Sequence, residues 1–302
     1  MHQDIPSRAA ELFRAVQDGV CAAVAELDGT PFREEAWERP GGGGGRGRVI
    51  QEGRVFEKAG VNFSEVHGTL SEPAARAMSA RHDLPEGGAR NFFATGTSLV
   101  LHPRNPMAPT AHANYRFFAL GEDAWWFGGA ADLTPAYLFE EDARHFHATH
   151  KAACDAHDAA FWPRFKAWCD DYFFLRHRGE RRGVGGLFFD DLNDREPHLV
   201  LAFVRACAEA FVPAYLPLVE RRNPMPFTED QRRWQQLRRG RYVEFNLVYD
   251  RGTVFGLETD ARIESVLMSL PLTARWEYDA QPEPGSPEAA LVEVLRNPRD
   301  WV

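Results

Sequence analysis

Two strand-like segments between residues 98 and 116 carry side chains that can bind anions or move protons. In an extended chain, side chains two positions apart share a face of the strand. The stretch at 103–110 contains three prolines and an asparagine, and it predicts that the two segments pair as a hairpin. The alternative is a solvated hairpin face, although two histidines without lysine or glutamate are unusual there. The converging side chains would be Ser98, His102, His112, Asn114 and Arg116.

A second candidate lies further along the chain. Residues 241–249 alternate between apolar and polar side chains, which predicts a strand. Asp250 and Arg251 follow it at a turn, so an acid and a base stand side by side. They are either part of an active site or a local ion pair on a surface turn. The polar side of this predicted strand comprises Tyr242, Glu244, Asn246 and Asp250.

Several histidines cluster between residues 145 and 177. On a helix, His145 and His147 would lie about 200° apart, so at most one of them can serve a given site. A site with two to four histidines would suit iron, copper, manganese or zinc. Lone helical histidines are also common as surface or core residues. The other histidines of this cluster are His150, His157 and His177.

Composition excludes several function classes. The net charge of −9 argues against a general nucleic-acid binder. The four cysteines are too far apart for a zinc ribbon. The N-terminus lacks the apolar core of a signal peptide, no segment resembles the roughly 20 apolar residues of a membrane span, and we therefore expect a cytoplasmic location. Only three of the 35 basic residues are lysines, which reflects either codon bias or arginines that clamp carboxylates.

Two familiar motifs are excluded. The segment at 182–186 (RGVGG) resembles a phosphate loop, but it has no lysine and runs into an apolar strand rather than a helix. The chain also lacks the H-E-x-x-H and G-x-S-x-G patterns of hydrolases.

The order of elements predicts an α+β fold with a large antiparallel sheet. Strand patterns fill most of 49–127, and helical patterns follow. The glycine run at 41–47 predicts a mobile loop, either a lid or a linker. The predicted helices are 8–27 (ended by Gly29), 140–158, 161–178 and 199–216. Two more run from the capping box at Thr228 and Gln231 to Gly240 and from Ser286 to Asn297. A short apolar run lies between helices at 187–189.

Several long segments resemble the oxygen-dependent coproporphyrinogen oxidases, and together they span nearly the whole chain. Segments of this length are far more specific than a short motif. They are 61–64 (VNFS), 98–118, 126–135 (WFGGAADLTP), 185–192 (GGLFFDDL), 239–247 (RGRYVEFNL) and 299–302 (RDWV).

The resemblance implies a fold and a reaction. The fold is a single catalytic domain over 1–302, with a large antiparallel sheet flanked by helices on both sides, and a homodimer with its interface around 242–277. The reaction is the oxidative decarboxylation of two propionates of coproporphyrinogen III to vinyl groups, which yields protoporphyrinogen IX in haem biosynthesis. Molecular oxygen is the acceptor, carbon dioxide and hydrogen peroxide are released, and neither flavin nor nicotinamide is used.

The resemblance also implies roles for particular residues. By this resemblance His112 is the proton donor. The residues that line the substrate-binding site are Ser98, Asn114, Tyr115, Arg116, Asp260, Ala261 and Arg262. Arginine forks suit a tetracarboxylate, and Arg251 is a further candidate. Our own hypothesis is that Asp250 accepts the pyrrole N–H while Arg251 holds a propionate.

A metal set and a departure from the family pattern remain. The resemblance implies a divalent metal (Mn, Fe or Cu) in bacterial members, held by His102, His112, His147 and His177, which conflicts with His112 as proton donor.

Family members commonly have a pair of small residues before Arg262, where this chain has Asp260 and Ala261. A carboxylate there would repel an anionic substrate unless it points away. The competing functions are a non-catalytic tetrapyrrole carrier and a histidine-ligated iron or copper oxygenase.

Overall fold

The computed structural model describes residues 4–72, 75–76, 91–122, 124–258 and 262–302. Asp260 and Ala261, both predicted to contact the substrate, therefore lie outside the described residues. Helix α1 spans Ile5–Asp28 and ends at Gly29, as predicted. Its buried side recurs every three to four residues, from Ile5 to Val24, and packs against the sheet.

Seven antiparallel strands form one sheet, in the order β1-β2-β3-β4-β5-β6-β9. The first six are consecutive in the chain, and β9 pairs with β6 after two intervening helices. The α+β prediction with a large antiparallel sheet is confirmed. The strands are β1 Arg33–Glu38, β2 Gly43–Gln51, β3 Phe56–Thr69, β4 Asn91–Pro103, β5 Thr110–Leu120, β6 Ala124–Thr134 and β9 Gly185–Leu192, while β7 Phe174–Leu175 and β8 Glu180–Arg181 form a separate ribbon.

The glycine run is part of this sheet. Residues 43–51 form β2, and only the preceding turn is irregular, so the prediction of a mobile loop over 41–47 is wrong. The reason is a close approach. A Cβ at Gly45 would lie 2.3 Å from Cζ2 of Trp37 on β1, so glycine lets the indole lie across β2.

Helices cover both faces of the sheet, as predicted. One face packs against α1, α2 and α4, and Tyr115 on β5 donates a hydrogen bond of 2.9 Å to the Cys207 carbonyl on α4. The other face lies under α5 (Glu229–Val248), α6 (Arg251–Glu258) and α7 (Ile263–Val266). The remaining helices are α2 Glu140–Asp155, α3 Phe161–Tyr172, α4 Pro197–Arg222, α5 Glu229–Val248, α6 Arg251–Glu258, α7 Ile263–Val266 with a 3₁₀ turn at Leu267–Ser269, and α8 Pro287–Arg296.

Helix α5 corrects two predictions. Its capping box at Thr228 and Gln231 is present, but the helix continues through Gly240 to Val248, and residues 241–249 are not a strand. A Cβ at Gly240 would lie 2.5 Å from the Arg275 carbonyl oxygen, so this glycine marks a close approach rather than a helix end. On a helix, Tyr242 and Asn246 share a face.

Helix α4 bears on the prediction that no segment resembles a membrane span. Its 26 residues include an 18-residue window with a mean hydropathy of 1.7, so its length and composition would suffice to cross a membrane. Within that window 56% of the residues are buried inside the fold, and the helix carries core residues such as Phe203 and Val204. Its apolar character is therefore that of a core helix.

Candidate active site

The predicted hairpin exists, and its polar side chains share one face of the sheet. Ser98 pairs with Asn114 across β4 and β5, and Val100 pairs with His112. Along β5, half-buried His112, Asn114 and Arg116 alternate with buried residues. We call this side of the sheet the polar face. Tyr115 points the opposite way into the core and is fully buried, so only its backbone can contact a ligand on the polar face.

His112 is held by a carboxylate directly across the sheet. Asp132 on β6 is its cross-strand partner, and His112 Nδ1 donates to Asp132 Oδ1 at 2.8 Å. Asp132 is 1% exposed. Its burial acts to raise the pKa, but the charge of Arg182 and the hydrogen bonds from His112 and Arg182 outweigh it, so the pKa lies below its usual range. An ionised Asp132 accepts the Nδ1 proton of His112, which orients the imidazole and leaves Nε2 for a ligand.

Arg182 completes this arrangement from behind. Its guanidinium donates to both oxygens of Asp132, at 3.1 and 2.8 Å, and to Asn246 Oδ1 on α5 at 2.9 Å. The guanidinium carbon lies 4.0 Å from the ring centroid of Phe173 and 4.7 Å from that of Tyr242. Aromatic faces and a paired carboxylate stabilise a charge that is otherwise fully desolvated.

A second carboxylate joins two arginines on the polar face. Asp190 on β9 lies 2.7 Å from Arg116 and 3.7 Å from Arg251, measured between side-chain nitrogen and oxygen atoms. Arg116 reaches it by lying across Gly128 on β6, where a Cβ would be 2.6 Å from the guanidinium carbon. Asn114 Oδ1 accepts from Arg116 Nη1 at 2.8 Å. Both guanidinium groups remain partly exposed, so each can still bind a carboxylate.

Asp250 begins helix α6. Its Oδ2 accepts the backbone N–H of Thr253 at 2.7 Å and the Thr253 hydroxyl at 2.9 Å, which is N-cap geometry. Its Oδ1 accepts the Tyr172 hydroxyl at 3.0 Å, and Tyr172 Oη in turn accepts the backbone N–H of Arg251 at 3.2 Å. A carboxylate has about four lone-pair sites, so Asp250 can accept a further donor.

Arg262 lies at the other side of the polar face, near β1 and β3. Its Nη2 is 2.5 Å from Glu35 on β1, and its Nη1 donates to the Ser265 hydroxyl at 3.3 Å. Asn62 on β3 donates to the Ser265 carbonyl at 3.3 Å. Arg262 is thus separated from Arg116 by several strands, each about 4.8 Å from the next.

The four histidines predicted to bind a metal lie in separate surroundings. His102 Nε2 donates to the Ser269 carbonyl at 2.9 Å, and His177 contacts Glu244 and Tyr249. His147 is fully buried on the opposite side of the sheet, with its ring 5.5 Å from the Trp162 ring. Within the described ranges, no three His, Cys, Asp or Glu residues are arranged to hold a metal ion. The donor set does not fit a metal, so the predicted cluster of His102, His112, His147 and His177 is not formed.

Sequence reasoning missed three residues of the site: Asp132, Arg182 and Asp190. Each stands in or beside a segment that carried the family resemblance. Arg182 was considered only as part of a phosphate loop. Asp132 falls two residues before a threonine–proline turn, in an otherwise apolar strand, and a lone acid in that position was the available signal.

Comparison with known proteins decides the family. The model of the coproporphyrinogen III oxidase family matches residues 8–301. A chloroplastic coproporphyrinogen-III oxidase of Arabidopsis thaliana is 55% identical over 99% of this chain and 80% of its own length. The chain belongs to the coproporphyrinogen III oxidase family. Another similar relative is the mitochondrial oxygen-dependent coproporphyrinogen-III oxidase of Homo sapiens, 55% identical over 99% of this chain and 68% of its own length.

The relatives overturn the expected cytoplasmic location. These coproporphyrinogen III oxidases are named chloroplastic or mitochondrial, so the cytoplasmic prediction is wrong. That prediction relied on the absence of a secretory signal and a membrane span. Import into organelles uses amphipathic, arginine-rich and serine-rich segments, which a search for apolar stretches does not detect.

Proposed function

We propose that this chain catalyses the oxygen-dependent oxidative decarboxylation of coproporphyrinogen III to protoporphyrinogen IX in haem biosynthesis. The observation that carries the proposal is family membership over residues 8–301, together with a polar face that presents arginines around a histidine–aspartate pair. We further propose that the catalytic unit is a single domain over 1–302.

The chemistry requires a proton source. For each propionate, the side chain and O₂ take up one proton and give a vinyl group, CO₂ and H₂O₂. The two electrons released by decarboxylation and loss of hydrogen reduce O₂ to peroxide. His112 can supply this proton from Nε2 as an imidazolium, because the Asp132 carboxylate binds Nδ1 and offsets the positive charge of the ring.

The arginines are placed to hold the substrate carboxylates. Arg116 and Arg251 lie near β9, and Arg262 lies near β1 and β3. Four strand intervals between β3 and β9 amount to roughly 19 Å, which is the scale of a tetrapyrrole with its side chains. Ser98 and Asn114 lie between these arginines and can bind the ring or a further carboxylate. The assignment of Asp260 and Ala261 as contacts remains a prediction.

Asp250 is retained as the acceptor of a pyrrole N–H. It is half-buried and hydrogen-bonded to Tyr172, whose ring stacks 4.1 Å from Phe188 on the polar face. Its carboxylate also orders the start of α6, where Arg251 binds a propionate in this proposal. Molecular oxygen is the co-substrate, and the proposal assigns no step to a flavin or nicotinamide.

A homodimer is proposed with its interface around 242–277. This segment exposes large apolar side chains that a monomer would leave in water, and such patches commonly mark protein interfaces. The exposed residues are Leu247, Val248, Leu257, Ile263, Leu272 and Trp276.

The test is to mix the protein anaerobically with coproporphyrinogen III, add oxygen, and follow product fluorescence and oxygen uptake. We expect one O₂ consumed and one CO₂ released for each vinyl group formed. Binding of the porphyrinogen without oxygen uptake would instead indicate a tetrapyrrole carrier. Complete loss of turnover after chelator treatment, with recovery on adding iron or copper, would indicate a metal-dependent oxygenase.

A further inference from the structure

A small cavity lies between helix α5 and the ends of strands β4 to β6 that meet at the hairpin turn. It adjoins the site described above, since Tyr242 on its wall also contacts Arg182, and Thr110 is two residues along β5 from His112, about 7 Å at strand spacing. The cavity has an empty volume of about 300 Å³, part of it open to solvent, and its enclosed part has room for about one water molecule. Its lining includes His102, Thr110, Thr134, Arg238, Arg239 and Tyr242.

Four buried polar atoms of the lining have no hydrogen-bond partner among the described residues: Arg238 Nη2, Arg239 Nε, Tyr242 Oη and Thr134 Oγ1. All four side chains are more than nine-tenths buried. Asn246 lies near the Tyr242 hydroxyl, but outside normal hydrogen-bond geometry. Every one of these atoms can donate a proton, and a guanidinium nitrogen cannot accept one. Leaving so many buried donors unpaired is costly, so a group that accepts hydrogen bonds is expected between them.

The charges around the cavity do not balance. Arg238 donates to Glu180 at 2.8 Å. Arg239 and Arg232 share the single carboxylate of Glu57. Three guanidinium groups, two of them almost fully buried, therefore face two carboxylates. Buried charges are normally paired, but among the described residues one positive charge here has no counter-charge.

Burial and the excess positive charge lower the pKa values of neighbouring side chains. Burial, reinforced by the charges of Arg239 and Lys58, lowers the pKa of His102 to about 3, so the imidazole is neutral. The pKa of Arg239 itself is lowered, first by burial and then by the charges of Arg232 and Arg104, although Glu57 opposes the shift. An anion in the cavity would relieve both effects.

We propose that this cavity binds a small monovalent anion, held by the guanidinium groups of Arg238 and Arg239 and by the hydroxyl of Tyr242. The enclosed space has room for about one water molecule and suits a halide, whereas bicarbonate, with four non-hydrogen atoms, would extend into the part of the cavity that is open to solvent. Bicarbonate has a local source, since the CO₂ released by this enzyme family hydrates to it. A halide would come from solution.

Two measurements on the full-length protein test the proposal. Crystals soaked in sodium bromide should show an anomalous peak within 3.5 Å of the nitrogens of Arg238 and Arg239. Thermal unfolding, titrated with sodium bromide, sodium bicarbonate or the bulky sodium gluconate at constant ionic strength, should show a saturable rise in Tm of a few degrees with the two small anions only. Stabilisation by bicarbonate alone would support the proposal and indicate the reaction product as the source.

Matched variants separate the cavity from general salt effects. Tyr242→Phe removes only the unpaired hydroxyl, and Arg238→Gln removes one guanidinium. Both variants should need about tenfold more anion to reach half of the maximal rise in Tm. This is the effect expected for the loss of roughly one hydrogen bond to a charge. Arg233→Gln on the same helix, where exposed Arg233 pairs with Glu277, should respond like the wild type. The proposal is overturned if the density shows only water, or if wild type, Tyr242→Phe and Arg233→Gln respond alike to all three salts.

Discussion

Arg182 donates hydrogen bonds to both oxygens of Asp132, at 3.1 and 2.8 Å, and each side chain is only 1% exposed. This pair lies immediately behind His112 and fixes the orientation of its imidazole, with Nδ1 toward the carboxylate. Arg182 also reaches Asn246, four residues before Asp250. The Arg182 guanidinium thus connects His112, through Asp132, with helix α5, which leads to Asp250.

Replacing Arg182 should therefore affect proton transfer without touching the substrate. Arg182→Lys keeps the charge but cannot donate to Asp132 through a planar fork, so we expect kcat to fall about 10- to 100-fold because the imidazole loses its fixed orientation. The pH profile of kcat should shift relative to the wild type. Arg182→Met, which leaves buried Asp132 with His112 but without the guanidinium, should cost about 3–5 kcal/mol of stability. An unchanged pH profile and kcat in a folded Arg182→Lys protein would contradict this role.

Gly128 should prove necessary for the position of Arg116. A methyl group there would lie 2.6 Å from the guanidinium carbon, so Gly128→Ala must displace Arg116 from Asp190 and Asn114. Loss of one charge-assisted contact to a propionate should raise KM about tenfold. The control is Gly19→Ala on the exposed side of helix α1, where a Cβ would meet no described atom within 4 Å. That variant should leave KM unchanged and stabilise the protein by about 0.5–1 kcal/mol; equal KM values in the two variants would count against the prediction.

A substitution at Asp250 can distinguish its role as helix cap from its proposed role as acceptor of the pyrrole N–H. In Asp250→Asn, the amide oxygen can still cap α6 through Thr253, which turns the NH₂ group toward Tyr172 and the polar face. We expect stability within about 1 kcal/mol of the wild type but a kcat about 100-fold lower. Asp250→Ala should lose both properties. Turnover of Asp250→Asn near the wild-type rate would leave Asp250 with a capping role alone.

The proposed dimer can be broken at its most exposed apolar residue. Val248 is 58% exposed at the end of α5, and Val248→Glu should place a charge in the interface. We expect sedimentation velocity to show a monomer where the wild type is a dimer. Tyr278 is fully exposed just beyond the proposed interface, so Tyr278→Glu is the control and should remain dimeric. A monomeric wild type at micromolar concentration would refute the interface.

The polar face of the hairpin was predictable because strand periodicity is local. His112, Asn114 and Arg116 follow from the spacing of two residues alone, and the turn at 103–110 contains its own signals. Asp132 and Arg182 were not predictable in this way. Their contact depends on how β6 pairs with β5 and on where the chain enters β9, and neither is encoded near His112.

The error at 241–249 has a similar origin. Alternation over nine residues fits a strand, but the same residues also place Tyr242 and Asn246 one helical turn apart. The choice is made by the capping box at Thr228 and by packing of Arg275 against Gly240, 35 residues further along the chain. Glycine was interpreted as a helix end because the sequence does not reveal which backbone approaches it.

Acid should destabilise the protein through its buried histidines. His102, His147 and His150 are buried, and burial is the largest cause that lowers the pKa of each to about 3. Near pH 7 they are neutral in both the folded and unfolded states. As the pH falls below about 6.5, the unfolded chain takes up protons that the folded protein cannot, so stability present above pH 6.5 is lost progressively toward pH 3. Between pH 6.5 and 5 the loss should be roughly 2 kcal/mol per histidine.

Urea unfolding at several pH values measures this loss. Neither ring nitrogen of His150 has a hydrogen-bond partner in the part of the chain that the structure describes, and its ring packs 4.6 Å from the ring of Phe146. His150→Leu should therefore keep the packing and flatten the dependence of the free energy of unfolding on pH by about one third of that expected for the three histidines. His67→Gln, at an exposed position on β3, should leave the slope unchanged. If His150→Leu and the wild type lose stability equally between pH 6.5 and 5, then His150 is not neutral in the folded protein.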